Sequence, residues 1–111
     1  MEKLENYRQI IQEILREYTA VPIHNGEIES YTAFDLKDDH YQVIDVGWDS
    51  DRRVYGCVLH LDIKDCKIWV QHNMTELQIA QELVNRGVEK KQIVIGFHAP
   101  ELREYTEYAV A

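Results

Sequence analysis

A chain of 111 residues with 45% hydrophobic and 29% charged side chains has the length of one domain around one core, residues 1–111, and the balance of a folded globular protein. Twenty acidic against twelve basic residues give a formal net charge of -8, which argues against tight binding of nucleic acid, because that affinity is drawn from Lys and Arg neutralising phosphates. No apolar run reaches the roughly 20 residues that span a bilayer, and the charged opening Met1-Glu2-Lys3-Leu4-Glu5 lacks a signal peptide's hydrophobic region, so a cytoplasmic protein with no membrane contact and with Cys57 and Cys66 reduced is expected.

From Glu2 to Tyr18 the apolar residues Leu4, Tyr7, Ile11, Ile14 and Tyr18 recur every three or four positions, with Ile10 and Leu15 widening the stripe, and predict an amphipathic helix. Pro22 and Asn25-Gly26 end the pattern. Three strands are expected next, Glu27 to Leu36, Tyr41 to Trp48 and Arg53 to Ile63, joined by the polar turns Lys37 to His40 and Asp49 to Arg52. Strict alternation in the third strand would place Tyr55, Cys57, Leu59, Leu61 and Ile63 on one face and Val54, Gly56 and Val58 on the other, as in a central strand partly covered on both sides. Lys64-Asp65 turns the chain into a fourth strand, Lys67 to Gln71.

Thr75-Glu76-Leu77-Gln78 has the form of a capping box, predicting a helix from Thr75 through Leu83 and Val84 to Gly87. Ile93 to Phe97 then reads as a buried fifth strand reached by a helical crossover and so parallel to the fourth, and Pro100 opens a short C-terminal helix or tail. The expected architecture is α+β: an N-terminal helix, a four-stranded antiparallel meander, a crossover helix, a fifth strand and a short terminal helix, with the helices packed on the sheet.

His60 and Asp62 alternate on one strand and offer a nitrogen and an oxygen to a metal, but two ligands do not make a site, and the first reading is a pair of surface polar residues. His24, His40, His72 and His98 stand at or near element ends, where placement alone does not show function. Asp62-Ile63-Lys64 superficially matches the end of a nuclease pattern, yet Asp and Lys are common at any strand end beside a turn. With no phosphate loop, nucleophile elbow or Cys-His signature, no catalytic residue and no cofactor are expected. Trp48 and Trp69 read as sheet packing, with an interface role as the other option. Between residues 27 and 51 eight carboxylates face the single Lys37, so Asp38, Asp39, Asp49 and Asp51, with Trp48, are the candidates for docking a basic protein. The alternative is a solvated hairpin face that only prevents aggregation.

The segment Arg52 to Asp65 (RRVYGCVLHLDIKD) with Lys67-Ile68-Trp69-Val70-Gln71, the stretch Ile79-Ala80-Gln81-Glu82-Leu83-Val84, and the ending Ile93-Val94-Ile95-Gly96-Phe97-His98-Ala99-Pro100 to Ala111 resemble the XisI-like family. Thr75-Glu76, Val46-Gly47-Trp48 and the Tyr7 to Leu15 helix extend the resemblance over nearly the whole chain. The resemblance implies an fdxN element excision controlling factor, a small cyanobacterial protein tied to programmed DNA rearrangement during heterocyst differentiation and commonly accompanied by an XisH-like partner. It supplies no catalytic residues. The leading expectation is therefore a non-enzymatic accessory factor acting through protein-protein contacts. The alternatives are a metal- or small-ligand-binding regulatory domain, or a nuclease accessory subunit using His60 and Asp62. Self-association is also expected, because a meander leaves an edge strand and Val54 and Val58 need cover.

Overall fold

The computed structural model describes residues 2–21 and 27–111. The break at Pro22 and Asn25-Gly26 and the position of His24 lie outside the described residues. Helix α1 (Glu2–Thr19) is followed by strands β1 (Glu27–Asp35), β2 (His40–Asp49), β3 (Arg52–Lys64) and β4 (Lys67–Asn73), helix α2 (Ile79–Asn85), and strand β5 (Ile93–Ile95), with 3-10 segments at Lys90–Gln92 and Pro100–Tyr105. The five strands form one sheet in the order β1-β2-β3-β4-β5, antiparallel except for β4 with β5, so the meander and the parallel fifth strand are as expected. The crossover through α2 makes that last pairing parallel, since a chain returning to the same sheet beside β4 must traverse its length first.

Both helices lie on one face of the sheet. Tyr7, Ile10, Ile11, Ile14 and Leu15 of α1 are buried together with Tyr41 and Val43 of β2, Leu59 and Leu61 of β3, Ile68 and Val70 of β4, Ile93 and Ile95 of β5, and Ile79 and Leu83 of α2. The i, i+3, i+4 stripe of α1 thus meets the period-two stripes of the strands, which is why both patterns were readable. At its hairpin end α1 is also tied to the sheet: Arg8 Nε donates to Asp39 Oδ1 at 2.8 Å, and the buried Tyr41 hydroxyl donates to the same oxygen at 2.8 Å. Arg8 holds the Asp39 carboxyl below the ordinary carboxylate range, against the opposing effect of burial.

Two expectations are corrected. First, β3 carries an extra residue: Val43 pairs with Leu59 but Ile44 pairs with Cys57, leaving Val58 as a β-bulge. The bulge flips the alternation, so Val58 packs on the helix-covered core beside Leu59, whereas Cys57 turns to the other face, where Gln42 lies within hydrogen-bonding reach of its sulfur, and Tyr55 is 74% exposed. Second, Thr75 does not cap a helix. Asn73 Oδ1 instead accepts the Thr75 N–H and hydroxyl, Thr75 Oγ1 accepts the Leu77 N–H, and α2 starts at Ile79 behind a Gln78 that makes no side-chain cap. Asn73 wins because its amide also donates to the Leu77 carbonyl, closing a turn that the box geometry would break. The other end is as read: Gly87, at φ +105°, allows the Val88 N–H to reach the Leu83 carbonyl and its own N–H to reach Val84.

Candidate functional site on the open face of the sheet

Among the described residues no helix covers the second face of the sheet. Register alone determines what stands on it, because directly paired residues share a face. At the β2–β3 turn end the rows are Glu27, Trp48 and Arg53, then Glu29, Val46 and Tyr55, then Tyr31, Ile44 and Cys57. Past the bulge come Gln42 with His60, then His40 with Asp62 and Trp69. The C-terminal segment covers only the far end: Trp69 is buried with Val94 and Ala109, the Arg103 guanidinium lies 5.2 Å from its ring centre, and an Arg103 amine donates to the Gly96 carbonyl. Trp69 is thus sheet packing, as read from the sequence. Trp48 is 47% exposed, with Arg53 above its ring at 5.2 Å.

The centre of this face holds a polar cluster. His40 Nδ1–H donates to Asp62 Oδ1 at 2.7 Å and His60 Nε2–H donates to the same oxygen at 2.8 Å, while the Gln71 amide donates to Oδ2 at 3.1 Å. Gln71 reaches Asp62 because β4 bulges there: His60 pairs with His72 but Leu61 with Val70, which leaves Gln71 as the extra residue. Burial by itself would push the Asp62 carboxyl up, yet the hydrogen bonds from His40, His60 and Gln71 outweigh it and hold the group below its usual value. The bond to Asp62 raises the His40 imidazole above its ordinary value. His60 and Asp62 are the pair that the sequence alternation offers, and the β2–β3 ladder adds His40, which by sequence is only an element-end histidine.

The acidic candidates do not form one surface. Asp38 and Asp39 lie at the β1–β2 turn and Asp49 and Asp51 at the β2–β3 turn, opposite ends of the ten-residue β2 and so roughly 30 Å apart at about 3.3 Å per residue. Asp39 is moreover occupied by Arg8 and Tyr41. Asp49 and Asp51 remain beside Trp48. On the helix side, a cleft of about 450 Å³ opens where α1 and α2 meet, lined by Ile14, Tyr18, Leu77 and Arg86. Its arginine is already held by Glu17 at 2.7 Å, with Glu82 at 3.4 Å and Glu13 at 3.7 Å, so it offers no uncommitted charge to an anionic ligand.

A mixed five-stranded sheet with both α-helices on one face and a second, partly aromatic face covered only at its far end defines an α+β protein whose accessible chemistry lies on the sheet itself. The chain belongs to the XisI family: the family model described as XisI protein matches residues 1–110. Two solved structures from Anabaena variabilis ATCC 29413 are similar. One, of a XisI-like protein, is 41% identical over 97% of this chain and 99% of that one, with a TM-score of 0.90. The other, of the fdxN element excision controlling factor XisI, is 34% identical over 98% of this chain and 99% of that one, with a TM-score of 0.84. No curated protein matches. Among the described residues no helix is long and apolar enough to cross a membrane.

Proposed function

We propose that this protein is a non-enzymatic controlling factor of DNA element excision, and that it acts by docking an XisH-like protein on the Trp48 end of the open face. The observation that carries the reading is the group of large side chains left uncovered there: Trp48 is 47%, Tyr31 49% and Tyr55 74% exposed, side by side on one face. Aromatic rings presented on a rigid sheet are the side chains that dominate binding energy at protein interfaces. Glu27 and Glu29 stand in the same rows, and Asp49 and Asp51 flank the turn, so the fitting partner offers an apolar recess rimmed by Lys and Arg. The net charge of -8 supports a role exerted through such a protein rather than by gripping DNA.

Surface plasmon resonance against the XisH-like protein tests this. Trp48→Ala and Tyr55→Ala should each weaken binding by about tenfold or more, and Asp49→Asn with Asp51→Asn should slow association, most at low salt, where screening is weakest. Asp38→Asn, at the opposite end of β2, should change neither rate. Wild-type affinity in the Trp48→Ala/Tyr55→Ala double variant, or divalent-dependent cleavage of plasmid by the purified protein that Asp62→Ala abolishes, would overturn the reading.

A further inference from the structure

We propose that His40, His60 and Asp62 form a binding site for one divalent transition-metal ion, zinc being the best fit, with Gln71 as the residue that orients the carboxylate. The three ligand atoms, one from each side chain, all lie within 4.8 Å of one another. They come from two paired strands: His40 faces Asp62 directly across the β2–β3 ladder, and His60 is two residues from Asp62 on the same strand and face. No loop contributes a ligand, so backbone hydrogen bonds on both sides hold the spacing.

Geometry and donor type select the ion. Ligand atoms around a tetrahedral zinc sit about 3.3 Å apart, given bonds of about 2.0–2.1 Å. The present contacts of 2.7 and 2.8 Å to Asp62 Oδ1 need to open by about half an ångström, and the two imidazole nitrogens, within 4.8 Å of each other, need to close by at most about 1.5 Å, a movement for side-chain rotation at the exposed His40. Two imidazoles and a carboxylate suit zinc and its first-row neighbours, whereas calcium and magnesium prefer all-oxygen sets. The burial gradient runs from an Asp62 side chain 14% exposed, through His60 at 30%, to His40 at 53%, so the fourth position opens to solvent on the His40 side. Gln71, placed by its bulge, donates to the carboxylate oxygen that the histidines leave free, the kind of outer contact that fixes a metal ligand. This inference does not rest on the docking reading, since the cluster lies past the bulge from the Trp48 end.

The test is calorimetric titration of the full chain, free of any histidine tag, with zinc, together with the visible absorption of cobalt as a probe of coordination. One equivalent of zinc should bind, and cobalt should give the intense bands of a four-coordinate site. His40→Ala and His60→Ala should each weaken zinc binding by about 100-fold and Gln71→Ala by about tenfold, the range for an orienting neighbour. His98→Ala and Cys57→Ser should leave it unchanged. Circular dichroism verifies that each variant is folded, and His40→Ala, at the most exposed of the three ligands, keeps the test valid if His60→Ala impairs folding. Absence of saturable one-to-one binding, or binding indifferent to His40 and His60, would overturn the proposal.

Discussion

The close approach of the β1 backbone to Gly47, which also holds a φ of +158°, gives a prediction about what glycine does at that position. A Cβ added at Gly47 would lie 2.0 Å from the Glu27 carbonyl oxygen and 2.7 Å from Ile28 Cα, both backbone atoms of β1. To regain ordinary contact, β1 would have to retreat by more than 1 Å at its start, breaking the pairs Ile28–Gly47 and Glu27–Trp48. Overpacking against side chains costs about 1–3 kcal/mol, and here the obstacle is main chain that cannot rotate away, so Gly47→Ala should destabilise by about 3 kcal/mol or more. For a chain of this length that is a fall in Tm of roughly 12 °C. Gly56, two strands in from the β1 edge, has no atom within 4 Å of its added Cβ, so Gly56→Ala should stabilise by about 0.5 kcal/mol through the unfolded chain alone. Urea unfolding followed by far-ultraviolet circular dichroism measures both. If the two alanine variants differ by less than about 1 kcal/mol, the close packing of β1 on β2 is not what glycine serves at position 47.

Removing the buried side chain in Ile11→Ala should cost about 2–5 kcal/mol, read from the same urea titration, because Ile11 is fully enclosed between α1 and the sheet. Asp39→Asn should destabilise by about 1 kcal/mol at neutral pH while Asp38→Asn stays within about 0.5, since only Asp39 is bound by Arg8 and Tyr41. Because the folded state depresses the Asp39 carboxyl, that advantage exists above its unfolded value and is lost as pH falls through the folded one, so wild type and Asp39→Asn should converge in acid melts. Asp65 and Cys66 both hold left-handed backbone, at φ 53° and 64°, in the two-residue β3–β4 turn. Cys66→Gly should therefore raise stability by about 0.5–1 kcal/mol, relief of the side-chain clash outweighing glycine's extra unfolded freedom, and a lower midpoint would contradict the turn assignment.

Where a period ran unbroken, the chain was legible. The three-and-four spacing of Tyr7, Ile11 and Ile14 and the alternation of Tyr41 with Val43 placed α1 and β2 correctly because one face of each meets the same core. The single extra residue at Val58 defeated the alternation reading of β3 and hid the third member of the polar cluster as well. Counting back from the Ser50–Asp51 turn, an unbroken ladder would set His40 opposite Leu61; the bulge moves it to Asp62. It also sets buried Tyr41 and Val43 in the ladder with Leu61 and Leu59, so core burial is what demands the shift. The signal was present, since Tyr41 and Val43 cannot share a face with Leu61 and Leu59 in the unshifted register, but it required pairing two strands before either was read alone. Charge composition had the opposite weakness. It drew eight carboxylates between residues 27 and 51 into one surface, whereas β2 holds its two turns at opposite ends.

The way the sheet ends on its β5 side governs how the molecule could polymerise. The Ala109 N–H donates to the Ile93 carbonyl at 2.8 Å and Ala109 bridges Val94 in parallel, so the chain's own tail occupies the outer side of the three-residue β5. Among the described residues two stretches of strand edge then stay unpaired: the outer side of β1, along which every second residue from Glu27 to Asp35 is exposed, and β3 from Arg52 to Cys57, which runs past the last β4 pair, Leu59 with Asn73. Strand addition along the full length of an outer strand would set β1 against β1 about a two-fold axis, and the doubled sheet so formed would present a tail-capped β5 at both ends. Growth by that route terminates at two chains, because the same two C-terminal contacts that complete a small sheet close its β5 side to a third copy.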